Sequence, residues 1–295
     1  MMNTEKTQRG TIFVEDTEIL ANTAHPGGHY IMRLRAPRTA EHACCGQFVY
    51  LRCDPLVPMR RPMSLMRADA EQSWIELLYK PWGWGTSKLV ERKPGDSLSL
   101  MGPIGVPFKQ SGYRARPILL GGGFGIPSIV FLAGHIKRHV AGSMPLTLVS
   151  SEVLFPFTPR PSQFMVPGVP ADTIAAMPLM EDWKVPSRLA SLKGYPGCYE
   201  GVVTELARCC LNALTIEQRQ DVELFACGPR PMLKATADLA REFSLPCQLS
   251  MEEYMACAVG GCAGCAIKIN TENGPAMKRV CVDGPVFEAE SVCFD

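Results

Sequence analysis

The chain has 295 residues and is close to charge-neutral, with 30 Lys and Arg against 29 Asp and Glu. That balance excludes the strong single-sign field of a nucleic-acid or anionic-membrane binder, and the length allows two or three domains with ample core. Its 13 cysteines are odd in number and scattered, with adjacent pairs at Cys44–Cys45 and Cys209–Cys210, which argues against a secreted disulfide framework.

The N-terminal stretch MMNTEKTQRG is polar and lacks an apolar signal core. From about Thr11 to Phe108, the short β-rich runs TIFVED, YIMRLRA, QFVYLRC, SWIELLYK and DSLSLMG alternate with turn residues, which predicts a small antiparallel barrel or sandwich. From about Arg116 to Leu245 the texture becomes strand–helix alternation. PILLGGG reads as a strand entering a glycine turn, and IPSIVFLAGHIKRHV as a helix. LTLVSSE and DVELFACG read as strands, and RPMLKATADLAREFS as a second helix. This pattern predicts a parallel sheet with helices packed on it. The apolar run Ile118–Gly134 is broken by glycines and Pro127, so it is not a spanning helix, and a cytoplasmic protein is expected. The proline-rich stretch from Val153 to Tyr199 reads as an irregular insertion. The last region, about Pro246 to Asp295, holds a cysteine loop and a short β-structure formed by AIKIN and then RVCVD. The expected division is 1–112, 113–245 and 246–295: an antiparallel β-barrel, a parallel-sheet α/β domain and a small cysteine-bearing domain.

Cys257, Cys262 and Cys265 are spaced C-x4-C-x2-C, and Cys281 follows after a short excursion. Four thiolates converging from a tight loop suit a [2Fe–2S] cluster, whereas zinc favours paired C-x2-C knuckles and finds one such pair here. Gly260, Gly261 and Gly264 lie where the backbone must curl around the sulfurs. Arg61 and Ser64, after the strand QFVYLRC, can hold a pyrophosphate by charge and by hydrogen bond. In Gly83-Trp84-Gly85-Thr86-Ser87, the glycines allow close backbone approach and Thr86 or Ser87 can cap the following helix. Gly121-Gly122-Gly123-Phe124-Gly125 follows a strand and opens a helix at Ile126-Pro127, where a dinucleotide pyrophosphate can lie, although the spacing is not the strict G-x-G-x-x-G fingerprint. Glu152, ending LTLVSS, can accept ribose hydroxyls and favour NAD over NADP. The five histidines form no close ligand set, and Trp82 and Trp84 either cover a cofactor or pack the barrel.

The strand Arg61-Pro62-Met63-Ser64 followed by the glycine–threonine loop resembles the flavin domain of the ferredoxin–NADP reductase superfamily. The resemblance implies FAD bound by Arg61, Pro62, Met63, Ser64, Gly85, Thr86 and Ser87, with Leu78, Tyr79 and Lys80 as a further wall. Met63 stands where most members carry an aromatic residue. In the same superfamily a C-G-P-x-P-M turn lies beside the nicotinamide. This implies that Cys227 sets hydride-transfer geometry and that Gly228 and Pro229 join Gly121, Gly122, Gly123, Gly125 and Glu152 in binding NAD. The whole order, with MGPIGVPF, SMEEYMACAVGGCAGC and RVCVDGPVF, is similar to the electron-transfer subunit family of type B dihydroorotate dehydrogenase. That family implies a hetero-oligomer in pyrimidine biosynthesis. An FMN-containing catalytic subunit oxidises dihydroorotate, and electrons pass through the [2Fe–2S] cluster and FAD to NAD+. Two other readings stay open at this point. One is a small subunit of an electron-bifurcating or hydrogenase-type complex, and the other is a non-catalytic iron–sulfur redox sensor.

Overall fold

The computed structural model describes residues 12–294; the polar N-terminal stretch, residues 1–11, lies outside the described residues. Strands β1 (Phe13–His25), β2 (His29–Arg35), β3 (Phe48–Leu51), β4 (Arg61–Asp69), β5 (Trp74–Tyr79) and β6 (Ser97–Ile104) pair antiparallel. They close into a barrel in the order β1-β2-β5-β4-β3-β6, so of the two expected β forms the chain adopts the barrel. Two short helices sit between strands, α1 (Pro37–His42) and α2 (Trp84–Val90). β3 is buried on both faces. Side chains alternate along a strand, so Val49 and Leu51 enter the barrel core while Phe48 and Tyr50 enter a second core that also holds Cys265 and Cys281.

The second layer contains β7 (Arg116–Gly122), α3 (Ile126–His139), β8 (Leu146–Ser150), the two-residue strands β9 (Arg160–Pro161) and β10 (Ala175–Ala176), α4 (Pro178–Asp182), β11 (Ser187–Ser191) and β12 (Tyr199–Glu200). It continues through α5 (Val203–Asn212), α6 (Ile216–Gln220), β13 (Val222–Cys227), α7 (Arg230–Glu242) and β14 (Cys247–Ser250). The sheet order is β12-β11-β8-β7-β13-β14, parallel throughout, and β17 (Val286–Glu288) adds an antiparallel edge beyond β14. Both faces are covered. Leu119, Val149, Leu189 and Phe225 join the core of α3 and the barrel, while Ile118, Leu120, Leu148 and Leu224 join that of α5 and α7. Two-sided burial explains why these strands read as continuous apolar runs.

Three expectations need correction. The stretch 153–199 is not simply an insertion, because its residues Ser187–Ser191 form the fully buried strand β11 between β8 and β12. The boundary at 245/246 cuts the sheet, because β14 and β17 hydrogen-bond into it. Of RVCVD only Arg279 belongs to a strand, and Val280–Asp283 form a turn. AIKIN does form β15 (Ala266–Thr271), but its partner is β16 (Gly274–Arg279). After β16 the Arg279 carbonyl accepts from the N–H groups of Val282, Asp283 and Gly284, and the Asp283 carboxylate accepts from the Arg279 N–H at 2.9 Å. That local competition bends an alternating sequence into a turn.

Candidate functional site: a nucleotide crevice beside a cysteine loop

The sheet order reverses at β7, with β8, β11 and β12 on one side and β13 and β14 on the other. Ligands of open α/β sheets bind at the carboxyl ends of strands around such a switch point. The GGGFG and CGPRPM turns meet there. A Cβ on Gly125 would fall 2.0 Å from the Cys227 carbonyl oxygen, and one on Gly122 would fall 2.5 Å from Met232 Sδ. Gly121, Gly122, Gly125 and Gly228 are buried in this turn-on-turn contact, while Gly123 and Pro229 are open to solvent. Glu152 is exposed just past β8.

Cys227 ends β13, fully buried, with Sγ 4.0 Å from Glu252 Oε1. Burial first, and then the Glu252 carboxylate, push its thiol up to about 12, against partial relief from hydrogen bonds with Ser128 and Ser250. The thiol stays protonated and neutral, so it shapes the pocket and does not act as a nucleophile. Glu252 is exposed beside the crevice, and desolvation of its carboxyl raises it to about 7. Sequence reasoning passed over Glu252. Its position two residues after the last parallel strand, at the carboxyl end of the sheet, was the available signal.

On the barrel, Arg61, Pro62, Met63 and Ser64 open β4, with Met63 buried and Arg61 and Ser64 half-buried. The Arg61 guanidinium lies against Gly85, where a Cβ would come within 3.1 Å of Nη2. The structure therefore brings the arginine strand and the glycine loop together. Thr86 and Ser87 do not cap a following helix as expected, because α2 already begins at Trp84 with Gly83 as its N-cap. Thr86 Oγ1 instead accepts from the Trp82 N–H at 2.7 Å. Leu78 and Tyr79 are packed in the barrel, the Tyr79 hydroxyl bonding Asn22 Oδ1 at 3.0 Å, and Lys80 is half-buried at the end of β5.

The four cysteines fall into two pairs. The Cys262 N–H donates to Cys257 Sγ at 3.4 Å, and the Gly264 N–H to Cys262 Sγ at 3.4 Å. Cys265 and Cys281 are buried, with sulfurs 3.3 Å apart. Burial opposes ionisation of Cys257, but N–H groups from Cys262, Val259 and Gly261 outweigh it and bring the thiol down to about 7. The loop turns through positive φ at Ala258, Gly260 and Ala263, and Arg279 Nη1 anchors the Gly260 carbonyl at 2.9 Å. Two thiol pairs with backbone N–H groups aimed at sulfur fit a two-iron cluster, which takes two ligands on each iron. Among the described residues no group of three or more His, Cys, Asp or Glu converges on a single metal-ion position.

A family model for the iron–sulfur cluster binding domain of dihydroorotate dehydrogenase B matches residues 252–293. The dihydroorotate dehydrogenase B (NAD(+)) electron transfer subunit of Geobacillus sp. (strain WCH70) is 34% identical over 275 residues, 90% of each chain. The chain belongs to the dihydroorotate dehydrogenase B electron transfer subunit family. A second member of that family, from Caldanaerobacter subterraneus subsp. tengcongensis, is 31% identical over 84% of this chain and 87% of its own. Among solved structures, an NADH-dependent reduced ferredoxin-NADP oxidoreductase described for flavin-based electron bifurcation superposes with TM-score 0.72 at 23% identity, covering 95% of this chain and 90% of that one. The ferredoxin reductase in carbazole 1,9a-dioxygenase gives 0.62 at 20% identity, over 80% and 67%. At these identities the structures establish a shared fold. The family's members are electron-transfer subunits, so both the barrel and the crevice are read in that light.

Proposed function

We propose that this chain links dihydroorotate oxidation by an FMN-containing catalytic subunit to NAD+, as the electron-transfer subunit of a cytoplasmic hetero-oligomer in pyrimidine biosynthesis. The observation that carries the reading is the placement of three sites around one strand pair. β4 holds the flavin-type motif, its neighbour β3 turns its outer face to the cysteine loop, and the nucleotide crevice ends beside Glu252 at the start of that loop. In this reading Arg61, Ser64 and Gly85 hold the FAD pyrophosphate end, with Met63 against the flavin, and Cys257, Cys262, Cys265 and Cys281 hold the cluster. Bound FAD supplies two-electron exchange with nicotinamide and one-electron exchange with a cluster. The chain's own residues do the rest. The glycine turns admit NAD+ to the carboxyl ends of β7 and β13, and neutral Cys227 fills the space beside the nicotinamide. The modular division is the barrel to about residue 112, the sheet from 113 with β14 and β17 included, and the cysteine loop with its β15–β16 hairpin between those strands. The cytoplasmic assignment rests on the cysteine usage; no helix among the described residues is long and apolar enough to cross a membrane.

The test mixes the anaerobically purified chain with the FMN-containing dihydroorotate dehydrogenase subunit of the same source and follows NAD+ reduction on adding dihydroorotate. Turnover requiring both proteins supports the reading. If NADH reduces artificial dyes but dihydroorotate gives no turnover, the partner is wrong and a bifurcating or hydrogenase-type complex is favoured.

A further inference from the structure

Tyr50 occupies the middle of β3, where the barrel meets the cysteine loop. Its hydroxyl lies 2.9 Å from the Ala256 carbonyl oxygen and 3.2 Å from that of Met255, the two residues immediately before Cys257. The side chain is 3% exposed, and its ring shares a buried cluster with Ile104, Ala258, Cys265 and Cys281. On the other side, the β3–β4 register sets Tyr50 opposite Pro62, with Val49 opposite Met63 and Leu51 opposite Arg61. The Tyr50 carbonyl is itself held by Arg60 Nη1 at 3.3 Å, and the same guanidinium nitrogen donates to the Ser99 carbonyl at 2.7 Å. One residue therefore bonds through its side chain to the segment that presents Cys257, and through its backbone to Arg60 at the foot of the strand that carries the flavin motif, which it also faces in the β3–β4 register.

We propose that Tyr50 is a positioning residue that sets the spacing between the cluster loop and the flavin strand, and so governs electron exchange between them. The proposal rests on FAD and a [2Fe–2S] cluster binding at the residues named above. The physical argument is one of satisfaction. A hydroxyl has a single proton, here shared between two carbonyls of a loop segment that reaches solvent at Ala256. Phenylalanine at position 50 leaves the ring in place but takes the donor away from both carbonyls, which then turn to the water already within reach of Ala256 and carry the loop outward. Tyrosine thus holds the loop inward; a ring alone does not.

The experiment uses the whole chain, purified anaerobically with both cofactors, and the Tyr50→Phe variant. NADH is mixed in by stopped flow, flavin and cluster bleaching are followed separately, and the reduced cluster is examined by EPR. The expected result is flavin reduction at the wild-type rate and cluster reduction slowed by roughly fivefold, the factor that corresponds to one ordinary hydrogen bond. The EPR signal of the variant is expected to be broadened. Tyr113→Phe removes a hydroxyl that donates to the Lys109 carbonyl and is expected to change none of these readings. Wild-type cluster reduction and an unaltered EPR signal in Tyr50→Phe overturn the proposal. If that variant purifies with little cluster, amide hydrogen exchange decides, with both proteins compared in the cluster-free state. Faster exchange confined to residues 255–262 supports the positioning role, and unchanged protection there overturns it. Failure of NADH to reduce the wild-type flavin counts against the functional reading instead, and the exchange comparison still tests Tyr50.

Discussion

Glu252 and Cys227 face each other across 4.0 Å at the end of the crevice, the exposed Glu252 with its carboxyl raised by desolvation to about 7 and the buried thiol pushed up to about 12. The folded chain therefore holds a proton on Glu252 in the window from the ordinary carboxylate value near 4.5 up to about 7, where the unfolded chain has released it. More protons in the folded state means stability that falls as pH rises through that window. Glu252→Gln carries no such penalty. Thermal melts across pH are expected to show the Gln variant gaining on wild type between those values and keeping a constant lead above them; parallel curves would show that the carboxyl is not desolvated. Ligand chemistry at the cysteines gives a second residue-scale expectation. Cluster iron needs thiolate donors, and the exposed Cys262 belongs to the cysteine loop and not to the Arg61–Ser64 strand or the Gly83–Ser87 loop. Cys262→Ser is expected to lose the visible cluster spectrum while retaining stoichiometric FAD, and a normal cluster in that variant rules out the ligand assignment.

At the scale of elements, what could be read in the sequence depended on whether local pattern or distant packing decided the outcome. Strand β6 and helix α7 follow period-two and period-3.6 burial in their own segments, the other barrel runs are marked off by turn residues between them, and the cysteine spacing belongs to one loop. β11 was hidden because SRLAS is buried on both faces and shows no alternation, while prolines before and after it read as loop. The turn at Val280–Asp283 was hidden for the opposite reason. Its alternating β-branched residues look like a strand, but Arg279 and Asp283 bond each other at short range. The roles of Glu252 and Tyr50 depend on partners 25 and more than 200 residues away, which no local pattern encodes. The glycines of GGGFG were legible as a turn, but their strictest requirement is packing against the other turn. Gly125→Ala places a methyl 2.0 Å from the Cys227 carbonyl oxygen. It is expected to destabilise the chain by about 1–3 kcal/mol, the usual cost of overpacking, and to weaken NADH binding while leaving the cluster spectrum intact. Urea unfolding and a fluorescence titration with NADH check both parts.

At the scale of the molecule, barrel, sheet and cluster module are joined at one junction, built by the segments 101–108 and 283–287. The Val106 N–H donates to the Gly284 carbonyl at 2.6 Å, and Val106 bridges Pro285 in parallel. Phe108 stacks edge-on against Phe225 of β13 at 5.6 Å. Just beyond, buried Glu223 takes an ion pair from Lys109 and a hydrogen bond from the Arg114 N–H at 2.6 Å, locking the connecting segment onto the sheet. This junction therefore helps to fix the distance between flavin strand, cysteine loop and nucleotide crevice, alongside the cores that barrel and sheet share. Gly105 is its tightest point, at φ +96° with an added Cβ 2.4 Å from Pro285 Cδ and 2.9 Å from the Gly284 carbonyl oxygen. Alanine there is strained by its backbone conformation and has no room for its methyl, so a stability loss of about 1–3 kcal/mol is expected. Because barrel and sheet are also packed together through two shared cores, both are expected to stay folded, and the loss to appear as loosened coupling at the junction. Flavin reduction by NADH and NADH-driven reduction of the cluster are both expected to slow in Gly105→Ala, even though FAD and iron contents stay at wild-type values. A variant that melts earlier but transfers electrons at wild-type rates would show that the junction supports the fold without setting the cofactor spacing.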